Sequence, residues 1–305
     1  MDLVPLAGIM SGESHYNYIK RNFNELNKTI LAIACAVLST TAFAGTADIK
    51  ASNNQVGVQY ISTHVDYTET GNGAVGAAGV TLDTETGSVP GYVLSASVMK
   101  DLWLGNDYMQ AEYSHNSGST NYVGSYQGGT YGSVVATSGA VFADYHFRYG
   151  KGFVINDKFM ATPYVEIGHH RWDRNVGNGA PGGYLEIYTH AYYGVGLLGQ
   201  YSPMSNLVLS VKSLIGHTFG AEINIPSFGA YGVPTSASLG NSTLYRIGAA
   251  ADYAFTKQVH GNMGVDYTAF DYGASAWQSG TGGSWAEPDS STKYTTVKVG
   301  IGYAF

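Results

Sequence analysis

The last eleven residues of the chain, 295–305, restrict its fold more than any other stretch. Here Val297, Val299, Ile301, Tyr303 and Phe305 alternate with small or polar residues. Because successive side chains of a strand point to opposite faces, the segment predicts a strand with one apolar and one polar face. Such a strand fits either a soluble β-sandwich or a membrane-spanning β-barrel.

Composition favours the barrel. Charged residues make up 12% of the chain, about half of the ~25% usual in soluble domains. A mean hydropathy of −0.07 is nevertheless too polar for a bundle of membrane helices. A barrel strand alternates lipid-facing and lumen-facing residues, so its apolar and polar contents average out. The net charge of −7 offers no basic patch for nucleic acid.

The N-terminal region has the pattern of an export signal. An apolar run at 29–38 follows Lys28 and precedes the small-x-small sequence Ala42-Phe43-Ala44. We therefore expect residues 1–44 to be an N-terminal extension plus a cleavable signal peptide, and residues 45–305 to form the exported domain. The one cysteine, Cys35, lies in the leader, so the mature chain would have no disulfide or thiol chemistry.

Alternating stretches recur along the rest of the chain, separated by connections that are long and short by turns. They predict ten strands, with polar, Gly-rich loops at one end and short turns at the other. An eight-stranded barrel is the alternative, because the first stretch alternates poorly and 105–117 is polar. The predicted strands are 55–68, 88–100, 107–117, 137–151, 158–172, 184–201, 206–220, 242–256, 259–273 and 293–305.

The closing strand, which ends on Phe305 after its alternation, resembles that of bacterial outer-membrane β-barrels, and the resemblance covers the chain after Gly45. In outline the chain is similar to small barrels of the outer-membrane protein A and porin-like types. The resemblance implies an integral, surface-exposed protein of a Gram-negative outer membrane, exported by the general secretory pathway. It also implies contact with outer-membrane lipid and lipopolysaccharide, and a C-terminal signal (Val297, Val299, Ile301, Tyr303 and Phe305) for the barrel-assembly machinery.

Alternation also predicts which charged residues face the lumen, because a cation that faces mid-bilayer lipid destabilises the barrel by about 2–4 kcal/mol. Six charges fall on inward positions at similar depth, and we expect them to form a lumen charge ring: Asp144, Glu166, Lys212, Arg246, Asp266 and Lys298. Carboxylates and cations that neutralise each other would fill a narrow interior. The alternative is a selectivity constriction in a small pore.

A possible interior His–Glu cluster flanks the loop predicted at 173–183. The alternation of inward and outward positions along a strand places four residues inward: Glu166, His170, Glu186 and His190. If residue 170 pairs with 186, then 166 pairs with 190, which stacks two His–Glu pairs. Such a cluster could bind a transition metal or carry out acid–base chemistry, but an interior hydrogen-bond network is the commoner outcome.

Two families of barrel enzymes resemble parts of the chain only weakly. Omptin proteases use an Asp–His and an Asp–Asp pair at the outer rim, whereas here Asp144 and His146 lie deep in the predicted barrel. Lipid A deacylases use a His-x-Ser pair with a glutamate; His115 and Ser117 have the spacing but lack that glutamate. We therefore expect a non-enzymatic barrel without metal or cofactor, with a structural or surface role or a narrow solute channel. An enzyme acting at the extracellular rim is the alternative.

Overall fold

The computed structural model describes residues 45–125, 129–177 and 183–305. The predicted signal peptide lies outside them. The described residues form ten long strands, which we number in chain order. They are β1 (Gln55–Thr70), β2 (Thr81–Lys100), β3 (Asp107–Gly124), β4 (Val134–Lys151), β5 (Phe159–Val176), β6 (Tyr184–Met204), β7 (Leu207–Asn224), β8 (Thr243–Ala254), β9 (Val259–Tyr272) and β10 (Asp289–Ala304).

The ten strands close into an antiparallel up-and-down barrel. Each strand pairs with its neighbours in the chain, and β1 pairs with β10 from Gln55–Ala304 to Thr70–Asp289. Closure leaves no long strand with an unpaired edge, as a lipid environment requires. The ten-stranded prediction is confirmed, and the eight-stranded alternative is wrong.

An apolar belt surrounds the outside of the barrel. On β10 the exposed residues Val297, Val299, Ile301 and Tyr303 alternate with inward residues, and β7 shows the same pattern with Leu209, Val211 and Ile215. Large apolar side chains that remain exposed all round a closed barrel are in contact with lipid. The barrel therefore spans a membrane. We call the end with the short turns the periplasmic end and the other the extracellular end, following the orientation that the sequence analysis predicts.

Most strands continue beyond the belt on the side of the long connections, further than the sequence predicted. β2 begins at Thr81 instead of 88, and β5 ends at Val176 instead of 172. Above the belt both faces of a strand carry polar residues, as at outward Ser119 and inward Thr120 on β3, so the alternation that reveals a strand is lost. The connections predicted at 69–87 and 118–136 are correspondingly shorter.

A short helix, α1 (Thr46–Ser52), precedes β1 at the periplasmic end. The sequence analysis did not anticipate it. Ile49 is fully buried, and Ser202 on β6 donates a hydrogen bond to Asp48 over 3.1 Å. No helix in the described part of the chain is long and apolar enough to cross a membrane.

The fourth and fifth long connections pack together at the extracellular end. The fourth contains a 3-10 helix, Pro226–Tyr231, and the fifth contains the small hairpin Gln278–Gly280 with Gly283–Trp285. The Trp285 indole donates a hydrogen bond to the Pro234 carbonyl over 2.8 Å. These two connections position Glu287 over the mouth of the barrel.

Candidate functional site: a layered lumen

The periplasmic end of the lumen is covered by polar contacts between α1 and the wall. The amides of Asn53 and Gln200 exchange two hydrogen bonds, of 2.7 and 3.1 Å. Asn54 pairs with both backbone groups of Met99, accepting from its N–H over 2.9 Å and donating to its carbonyl over 3.1 Å. Above α1 lies a polar cavity of about 160 Å³. The helix thus forms the floor of the lumen.

A network of charges crosses the lumen above this cavity. The Lys298 ammonium lies 2.7 Å from Asp266 and 3.1 Å from Glu112, and Lys212 lies 3.0 Å from Asp266. Lys298 therefore points inward, and the structure brings it together with Asp266 on the neighbouring strand. At Gly248 a Cβ would collide with the Asp266 carboxylate, so any other residue there would displace that carboxylate.

A second network joins β4, β5 and β8. Arg148 forms an ion pair with Glu166, and Arg246 reaches the other Glu166 oxygen over 2.6 Å. The structure thus places all six predicted residues of the charge ring inside the lumen, divided between two networks and Asp144. With Glu112 and Arg148 added, four carboxylates face four cations. This balance is what a low-dielectric interior favours.

Histidines occupy the next level. Asp144 lies 3.3 Å from His146 and 3.6 Å from His170, and Tyr272 approaches His190 to 2.7 Å. A second cavity, of about 80 Å³, lies between these side chains and the charges below. Among the described residues, no group of three His, Cys, Asp or Glu is arranged to hold a metal ion.

The predicted pairing of histidines with glutamates is wrong. His170 lies opposite His190, Glu166 opposite Gly194, and Glu186 opposite Arg174. The hairpin register differs because β5 continues four residues into the predicted loop, to Val176, and pairs there with Tyr184 at the start of β6, so each partner on β6 lies four residues further along the chain. Glu166 therefore binds arginines, and the four residues do not form a cluster.

Six aromatic rings form a layer across the lumen above the histidines. Trp172 packs edge-on against Tyr67 at 5.0 Å between ring centroids and stacks on Tyr188 at 5.8 Å. Trp172, Tyr67 and Tyr188 are fully buried. The layer is contributed by six strands and consists of Tyr67, Phe142, Trp172, Tyr188, Tyr272 and Tyr294.

One arginine is surrounded by carboxylates above the aromatic layer. The guanidinium of Arg174, which is fully buried, lies 2.6–2.8 Å from four carboxylates on three other strands and 4.6 Å from the centre of the Tyr67 ring. We call this group the Arg174 cage; its carboxylates are Glu69, Asp83, Glu85 and Glu186. The guanidinium fixes four strands to one another.

Glu287 closes the lumen from the fifth connection. Its carboxylate accepts a hydrogen bond from the Tyr188 hydroxyl over 2.6 Å, and the residue is buried. Burial, followed by repulsion from Glu69 and Glu186, raises the pKa of Glu287 well above its ordinary value. The neutral acid is therefore favoured in the closed loop.

Sequence reasoning missed Glu112 and Arg174, for different reasons. Glu112 lies on β3, and its outward neighbours Ala111 and Tyr113 do mark it as inward, but the stretch 105–117 was interpreted only as polar and its faces were not assigned. Arg174 lay in the predicted loop. Arg174 could have been predicted as inward, because it continues the series of inward positions His170 and Trp172, but the predicted strand ended at residue 172.

No protein-family model matches the sequence, and no curated protein sequence matches it either. The structure is similar to that of the outer membrane protease OmpT from Escherichia coli, with a TM-score of 0.51 and 10% identity over 88% of this chain and 100% of that one. It also matches the outer membrane protein OprG from Pseudomonas aeruginosa, with a TM-score of 0.36 and 10% identity over 83% and 98%. At this identity the likeness to the protease shows a shared fold and nothing of its chemistry.

Proposed function

We propose that this bacterial outer-membrane β-barrel is a surface protein whose lumen is closed to solutes and whose extracellular face carries its role. The observation that supports this proposal best is the aromatic layer. Its buried rings contact one another from wall to wall, and the Arg174 cage lies directly above them. A solute that enters from outside would have to displace both.

The contents of the lower lumen agree with a closed interior. The two cavities, of about 160 and 80 Å³, lie between α1 and the aromatic layer, on either side of the charge networks. Spaces of this size and polarity hold water molecules bound to the charged groups. A selectivity constriction would instead leave charges free to exchange with a passing ion, whereas Lys298 is held by two carboxylates.

The arrangement does not favour an enzyme at the rim. His146, His170 and His190 lie below the aromatic layer, separated from any substrate at the cell surface. Asp83 and Glu85, the carboxylates nearest the rim on β2, both bind Arg174. A general base must reach the proton that it removes, and these groups are occupied or enclosed.

Conductance in planar bilayers tests the proposal. We expect the folded protein to give no stepwise conductance, whereas the double variant Trp172→Ala with Tyr188→Ala should give steps because it removes the centre of the layer. The matched control is Trp277→Ala with Tyr231→Ala, which removes the same two residue types from exposed loop positions and should stay silent. Reproducible steps from the unaltered protein would overturn the proposal, whether or not the double variant folds.

A further inference from the structure

Three tyrosine–histidine pairs are repeated on the outer surface of the barrel. Each tyrosine lies on one strand and the histidine directly opposite it on the next: Tyr92 with His115, Tyr145 with His169, and Tyr193 with His217. Their ring centroids are 5.7, 5.2 and 6.3 Å apart, and the second pair is stacked within 11° of parallel. We call them the Tyr–His pairs. Three cross-strand pairs on β2–β3, β4–β5 and β6–β7 follow the repeat of the barrel.

Two of the pairs lie where the apolar belt ends on its extracellular side, and at the third the belt continues for one more outward residue, Phe219. On β3 the outward residues that follow His115 are Ser117 and Ser119, and on β5 those that follow His169 are Arg171 and Asp173. Below the pairs the outward residues are apolar, such as Phe147 and Ile167. This level corresponds to the headgroups of the outer leaflet, where a ring can contact lipid while its polar edge meets water.

Two apolar grooves on the lipid-facing surface lead down from these pairs. The first, of about 740 Å³, has Tyr145 and His169 at its upper edge and small residues at Ala96 and Ala111. The second, of about 460 Å³, has Tyr193 and His217 at its edge. Apolar walls line both, from Leu94, Phe147 and Ile167 in the first and from Val165, Val195 and Ile215 in the second.

We propose that each of these two grooves binds an acyl chain of a phosphorylated outer-leaflet lipid, and that the Tyr–His pair at its edge binds the phosphate. The tyrosine hydroxyl and an imidazole N–H can each donate a hydrogen bond to a phosphate oxygen. Arg171 lies two residues beyond His169. It is held by Asp173 at 2.7 and 3.1 Å through two of its nitrogens, which leaves the third nitrogen for a phosphate oxygen.

A lipid fits these grooves better than a second copy of this chain. They are continuous with a belt that faces lipid all round the barrel, and both lead upward to groups that bind anions. The first pair, Tyr92 with His115, lies beside the first groove on the same side of the barrel. This proposal is independent of whether the lumen conducts.

Retention of lipid A in native mass spectrometry tests the proposal. The full barrel, refolded in detergent micelles at pH 6, is titrated with bis-phosphorylated lipid A. We expect the triple variant His115→Gln, His169→Gln and His217→Gln to bind at least ten times more weakly, a change of about 1.4 kcal/mol. His64→Gln is the matched control, because His64 is an exposed outward histidine opposite Thr295 with no tyrosine partner; it should bind normally.

Two further arms identify the group that is recognised. Dephosphorylated lipid A should bind at least ten times more weakly to the unaltered protein, and excess inorganic phosphate should reduce retention of intact lipid A. Equal binding of both lipids would mean general adhesion to an apolar surface and would overturn the proposal. Unchanged affinity in a triple variant that folds normally by circular dichroism would overturn it as well, and loss of lipid on forming dimers would identify a second copy as the occupant.

Discussion

Arg174 should contribute more to stability than any other single charge on the extracellular side of the barrel. Its guanidinium is fully buried and touches four carboxylates at 2.6–2.8 Å. Removing one partner of a buried ion pair costs about 3–5 kcal/mol, because the remaining charge is left uncompensated. We therefore expect Arg174→Met to lower the free energy of unfolding by about 3–5 kcal/mol at pH 8.

Arg171→Met provides the matched control, three residues away on the same strand. Arg171 pairs only with Asp173, at 2.7 Å, and nearly half of its side chain is exposed. Exposed pairs of this kind contribute about 0–1 kcal/mol. Arg174→Lys should fall between the two, since one ammonium group cannot reach four carboxylates in the way a planar guanidinium does.

Urea unfolding in detergent micelles, followed by circular dichroism, measures the three variants. Urea is preferable because guanidinium ions could enter the vacated cage and mask the loss. The difference between Arg174→Met and the unaltered protein should shrink as the pH falls, since protonation neutralises the carboxylates that the arginine no longer pairs. A loss within about 1 kcal/mol of that of Arg171→Met would refute the reasoning that the cage stabilises the barrel.

Two further perturbations address the ends of the lumen. Because burial and neighbouring carboxylates raise the pKa of Glu287, its ionisation opposes docking of the fifth connection increasingly as the pH rises above the ordinary value of ~4.3. The protection factors of the amides at 273–288, which are corrected for the intrinsic pH dependence of exchange, should therefore fall from pH 5 to pH 9 in the unaltered protein and much less in Glu287→Gln. At the other end, Asn53→Ala should lower the free energy of unfolding by about 1–3 kcal/mol, because it leaves the buried Gln200 amide unpaired, and should release α1 to exchange; full protection of α1 in that variant would contradict the role given to Asn53.

The sequence predicted the membrane-spanning half of the barrel well because lipid imposes one rule on every strand. A charged side chain must point into the lumen and an apolar one toward lipid. The directions of Lys298 and Val297 can therefore be predicted from the residue type alone. The strand number followed from the same rule, as did the inward position of each residue in the charge ring.

The extracellular half could not be read in this way. Above the belt the outer face of a strand meets water instead of lipid, so outward Ser119 and Asn121 are as polar as inward Thr120, which donates a hydrogen bond to Glu85 over 2.7 Å. The register of β5 on β6 is fixed by pairs that include residues of the predicted loop 173–183, such as Asn175 with Leu185. The Arg174 cage joins Arg174 to three carboxylates that lie 89 to 105 positions away in the chain, a relation that spacing along one strand does not contain.

The distribution of charge along the lumen separates its two halves. Within the belt four carboxylates meet four cations, and that half is enclosed by lipid, where an uncompensated charge is most costly. Above the belt Arg174 pairs with four carboxylates, and Glu287 adds a fifth carboxyl group, which is bonded to the Tyr188 hydroxyl. Such an excess of carboxyl groups over cations is tolerable only near solvent, where protonation can neutralise a carboxylate. A change of pH or the loss of Arg174 should therefore reduce the protection from hydrogen exchange of the extracellular half and its loops. The strand segments around Lys298 should keep their protection, so that the extracellular surface can change its conformation while the membrane-spanning part of the barrel stays closed.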